Sequence, residues 1–71
     1  MHQNNLTIIV PTHSRPNLLD NALSSIRQIF KDSVDIIVGG NCIEFQKENK
    51  RISEKYSCKY LDLTEYEANI P

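Results

Sequence analysis

The sequence predicts an α/β domain: a three-stranded parallel sheet of βαβαβ connectivity, strand order 3-2-1, with both helices on one face. Three observations carry that expectation. The runs "LTIIV" and "DIIV" are short, rich in β-branched residues and not alternated with polar ones, as in strands covered on both faces. Between them, apolar residues recur with the helical period. A second, weaker helical stretch then leads to a third short run, "CKYLDL", and right-handed crossovers order such a chain as 3-2-1.

Each element has its own justification. Residues 6–10 read as a strand that Pro11 stops. Pro16 suits the first turn of a helix, where a missing N–H leaves no bond unmade. Leu19, Ala22, Leu23, Ile26, Ile29 and Phe30 form the apolar stripe, while Asp20, Asn21, Ser24, Arg27, Gln28 and Lys31 fall on the polar side. "DIIVGGN" is the second strand, and its Gly39-Gly40 pair allows a tight exit or the close approach of another group. In "IEFQKENKRISEKYS", Phe45, Ile52 and Tyr56 share one side that Asn49 interrupts. "TEYEANIP" is a polar tail, and Asp62 and Glu65 read as a solvated strand end.

Composition bounds the function. The 71 residues allow one domain, and a chain of this length buries only about 60% of its unfolded surface. Eight basic against nine acidic side chains give a net charge of −1, which excludes a nucleic-acid footprint. The apolar run 8–10 that follows "MHQNN" is too short for a signal peptide or a membrane span, so a cytoplasmic location is expected. Cys42 and Cys58 form no C-x-x-C pair. They fall at opposite ends of the expected parallel sheet, beyond disulfide reach, and are expected as reduced thiols.

Ligands of such sheets bind beyond the carboxyl ends of the strands, which here are residues 11–15, 39–42 and 62–65. No G-x-G-x-x-G, P-loop, G-x-S-x-G or metal-ligand spacing occurs there, and "VPTHS" lacks the acidic pair of a receiver domain. The turn "PTHSR", the helix "LLDNALSSI" and the strand "DIIV" together resemble the opening of a family 2 glycosyltransferase of the GT-A fold. Such enzymes begin with a strand, P-T-Y-N-R or a variant, L-x-x-A-L-x-S-I, and then E-I-I-V-V-D-D-G-S. The resemblance covers about forty residues in register, and Asn69 stands where an N-x-G segment can begin.

The resemblance implies that residues 1–71 are the N-terminal, nucleotide-binding part of an incomplete GT-A domain. Pro11 and Thr12 would then line the nucleotide pocket, and His13 would stack on the base in place of the usual aromatic. Arg15 would meet the base or phosphates, where a guanidinium fork suits oxygen acceptors. Residues 40–43, Gly-Asn-Cys-Ile, replace the usual D-D-G-S. Asn41 can accept a uracil N3–H through its oxygen or face an acceptor nitrogen through its amide, so the base stays open. As ordinary turn residues, His13 and Asn41 have simpler readings.

The implied partner is a nucleotide-diphosphate sugar, of the uridine type in most of this family. The implied cofactor, a divalent magnesium or manganese ion, belongs to the complete enzyme, because the D-x-D motif and catalytic base are absent from this chain. The chain alone is therefore expected to be inactive in sugar transfer. The alternative is a small non-catalytic α/β interaction module. On the fragment reading the first strand lacks the fourth strand that would pair with its free edge, so self-association through that edge, with some of Ile8, Val10, Ile36 and Val38 left uncovered, or association with a missing C-terminal part is expected.

Overall fold

A computed structural model describes residues 6–64; His2, Glu65, Asn69 and nearly all of the polar tail lie outside them. The elements run β1 (Thr7–Thr12), α1 (Pro16–Phe30), β2 (Asp35–Gly40), a single turn of 3-10 helix (Ile43–Phe45), α2 (Gln46–Lys55) and β3 (Lys59–Asp62). The strands form one parallel sheet with β2 central. This is the expected βαβαβ unit, Rossmann-like in topology.

One core joins the layers. Leu19 and Leu23 of α1 and Ile52 of α2 pack with Val34, Ile36, Val38 and Cys58, and Ile8, Val10 and Tyr60 lean against them. The register sets Ile8 beside Ile36, and Val38 between Val10 and Tyr60. These side chains therefore share the helix-covered face. The alternating residues Ile9, Ile37 and Leu61 take the other face, where Ile9 is 71% and Leu61 42% exposed. The expectation that some of Ile8, Val10, Ile36 and Val38 would lie on the uncovered face is thus corrected by strand parity: Ile36 and Val38 are buried, and Ile8 and Val10, on the edge strand, half-buried. A period of two gives each face to alternate residues, and the helices cover the even ones.

Pro11 does not stop the first strand; it pairs in register with Gly39. The carbonyls of Leu6 and Thr12 both accept N–H groups from the β2 segment, so alternation turns the backbone of Pro11 to the open edge. There its missing N–H costs no ladder bond. The stripe of α1 is also trimmed. Ile29 at its margin is 73% exposed, and Phe30, at the end of the helix, is 38% exposed. Arg27, assigned by periodicity to the polar face, is half-buried. Its Nε donates to the Tyr56 carbonyl (2.9 Å), its Nη1 to those of Lys31 (2.6 Å) and Val34 (3.0 Å), and its Nη2 to that of Ser57 (3.0 Å). One guanidinium thereby ties the ends of both helices to the amino ends of β2 and β3.

Both cysteines are free, and Cys58 is buried. No helix among the described residues is long and apolar enough to cross a membrane.

Candidate functional site

The site is built at the carboxyl ends of β1 and β2. Beyond Thr12 the chain turns through His13 and Ser14, and Arg15 caps α1, its carbonyl accepting the N–H groups of Leu18 (3.1 Å) and Leu19 (3.2 Å). The ladder continues one step past β2, because the Asn41 N–H donates to the Thr12 carbonyl at 3.3 Å. That step brings the His13 and Asn41 side chains together. The His13 Nδ1 lies 2.6 Å from the Asn41 Oδ1. An amide oxygen carries no proton, so the imidazole donates and its Nδ1 is the protonated nitrogen.

Pro11, Thr12, His13 and Arg15 line a single cleft of about 440 Å³ between the end of β1 and the Leu18–Ala22 side of α1. Asn41 lies outside that lining and reaches it through His13. Four of the five residues singled out in the sequence thus share one concavity, and the fifth is bonded to it. Among the described residues, no hydrogen bond or ion pair engages the Arg15 guanidinium.

Behind the corner stands a neutral network that the sequence reading missed. Gln46, at the start of α2, donates through Nε2 to the carbonyls of Gly40 (3.2 Å) and Cys42 (2.9 Å). Its Oε1 accepts the Tyr60 hydroxyl proton. Asn49 is fully buried and donates through Nδ2 to the His13 carbonyl at 3.2 Å. Its Oδ1 has no partner among the described residues. The Leu63 N–H also donates to Gly40, at 2.7 Å. Burial, then the nearby Asp62 charge, raises the Tyr60 pKa above the ordinary phenol value. Hydrogen bonds from Thr64 lower that of Asp62, which is exposed as expected.

Gly40 is fixed by this network. A Cβ added there would run into the Tyr60 hydroxyl and come within 2.8 Å of ring Cζ. The sequence did carry a signal for Asn49: an amide at the helical spacing between Phe45 and Ile52 lies on the apolar face, where a polar group must find partners. Nothing in the sequence pairs Gly40 with Tyr60, since that depends on register.

The divalent metal implied by the resemblance finds no matching donor set here: among the described residues, no three His, Cys, Asp or Glu converge on one point. No known protein family, curated protein or solved structure matches the chain, and the protein stands as a small α/β domain of Rossmann-like βαβαβ topology.

Proposed function

We propose that the β1–β2 corner binds the nucleotide of an activated sugar, as the N-terminal nucleotide-binding part of a family 2 glycosyltransferase. The observation that carries this reading is the 2.6 Å bond between His13 and Asn41, 28 residues apart in sequence. It joins two strand ends beside a cleft lined by Pro11, Thr12 and Arg15. Strand ends are where open α/β sheets bind ligands. In this reading Pro11 and Thr12 wall the pocket, His13 offers its ring to the base, and the Arg15 guanidinium meets phosphate oxygens. Sugar transfer from the diphosphate donor to a hydroxyl acceptor belongs to the complete enzyme, with its magnesium or manganese ion.

Isothermal titration of the chain with uridine and cytidine diphosphates, with and without manganese, tests the reading. Weak saturable heat that Arg15→Ala diminishes is expected, without sugar transfer or donor hydrolysis. No saturable heat with any nucleotide would overturn it. A second reading, a non-catalytic interaction module, is favoured by the bare sheet face carrying Ile9 and Leu61. It predicts no nucleotide response at all.

A further inference from the structure

We infer that the open edge of β1 and the outer flank of α1 form a groove for one extended, uncharged polypeptide segment, which a partner adds to the sheet as a strand. The inference does not rest on the nucleotide reading. Its first basis is the backbone. The carbonyls of Leu6 and Thr12 are taken by the β2 segment, so alternation turns the N–H and C=O of Thr7 and Ile9, and the C=O of Pro11, outward. Donors and acceptors alternating at the strand repeat are matched by another extended backbone.

The second basis is α1. Asp20 and Arg27 face α2, where they bond Lys55 and Tyr56. The helical period then sets Leu18, Ala22, Ser25 and Ile29 on the opposite flank. Leu18 and Ala22 share a lining with Val10, Pro11 and Thr12, which places that flank on the β1 side. Leu18 is 55% and Ile29 73% exposed. Strands lie about 4.8 Å apart and packed helices about 9 Å, so two helices on three strands stand above the outer two. The flank of α1 therefore overhangs the place beside β1.

Charge and room identify the occupant. Neither β1 nor those four flank positions carry a charged side chain, so a charge on the side of the segment that faces α1 would be desolvated without a partner. The segment that fits turns branched apolar side chains toward Leu18, Ala22 and Ile29. A second copy entering antiparallel brings its own α1 to the same face, about 5 Å from this one and about half the spacing of packed helices. Self-pairing therefore gives up part of the edge, and a strand that carries no helix is the better occupant.

The test titrates the full chain, dilute enough for light scattering to show a monomer, with a short blocked peptide alternating valine and threonine. N-methylation at every second residue leaves the peptide one free edge and stops it pairing with itself. Amide hydrogen exchange read by nuclear magnetic resonance should slow about tenfold at Thr7 and Ile9, and less at Ile8 and Val10, which already face β2. Ile29→Glu, an exposed position outside the cleft, should weaken peptide binding about tenfold while circular dichroism shows the fold unchanged. The same peptide methylated at every residue has no free edge and should not bind. At higher concentration the peptide should reduce any growth in mass. Unchanged exchange at Thr7 and Ile9 under excess peptide would overturn the inference, as would equal binding of the fully methylated peptide or equal binding to Ile29→Glu. Growth in mass that the peptide leaves untouched would assign the edge to a second copy and overturn it too.

Discussion

Replacing Gly40 by Ala adds one methyl group at the point where the site and its support meet. The new carbon would collide with the Tyr60 hydroxyl and lie 2.8 Å from ring Cζ and 3.1 Å from Cε1. Tyr60 cannot yield freely, because its hydroxyl donates to Gln46 and its ring packs against the core. Swinging the ring away forfeits that bond, about 1 kcal/mol, together with part of the ring's burial. Moving the strand instead strains the bonds from Leu63 (2.7 Å) and Gln46 (3.2 Å) to the Gly40 carbonyl. Overpacking of this kind costs about 2–3 kcal/mol, a large share of the roughly 4–10 kcal/mol available to a domain of this size. Urea denaturation followed by far-UV circular dichroism should show a lower midpoint with an unchanged slope. In a Tyr60→Leu background the obstructing atoms are gone, and the same substitution should cost less than about 0.5 kcal/mol, a coupling of about 2 kcal/mol. Equal costs in the two backgrounds would refute the reasoning.

Three further outcomes are expected. Arg27→Met should cost about 2–3 kcal/mol in the same urea assay, because it removes charge-assisted donors from four carbonyls. Arg51→Met, whose ion pair with Glu48 is exposed, should cost less than about 0.5 kcal/mol. The Asp20 pKa is lowered from 3.8, first by the hydrogen bond from Tyr56 and then by that from Lys55. Its contribution is therefore complete above the ordinary carboxylate value and is lost as pH falls through the folded one. Asp20→Asn should flatten that part of the acid limb in a pH series of urea midpoints. For the open edge of β1, light scattering over a concentration series should show growth in mass, which Ile9→Lys suppresses; an unmodified chain that stays monomeric throughout would refute edge pairing.

The architecture was legible because it rests on signals local in the sequence: the β-branched runs, the period of the α1 stripe and the placement of Pro16. The strand ends followed from topology, and Pro11, Thr12, His13 and Arg15, singled out there, line one cleft. What was not legible depends on register and on reach. An unbroken apolar run such as residues 8–10 does not say which parity faces the helices, so the exposure of Ile9 rather than Ile8 was hidden. Pro11 looked like a terminator because a sequence does not reveal which side of an edge strand a residue's N–H would face. Arg27 looked solvated because its partners, the carbonyls of Tyr56 and Ser57, lie 29 and 30 residues away. Asn49 looked like an interruption because the carbonyl it holds belongs to another element, 36 residues earlier.

The Arg27 clamp has a consequence for how the domain breathes. It closes the amino end of the sheet with a charge, whereas among the described residues the side chains that tie the carboxyl ends of β1 and β2 to α2 and β3 are neutral amides and a phenol. Opening the carboxyl end breaks bonds of ordinary strength and leaves the guanidinium seated, so the β1–β2 corner is the compliant pole of the molecule and the opposite end its anchor. Amide hydrogen exchange separates the two. The Asn41 and Leu63 amides, bonded to Thr12 and Gly40, report the compliant pole; those of Lys31 and Cys58, bonded to Arg27 and Ser53, report the anchor. A molecule that bridges the first two strands at their carboxyl ends should slow exchange in the former pair and leave the latter at its own slower rate.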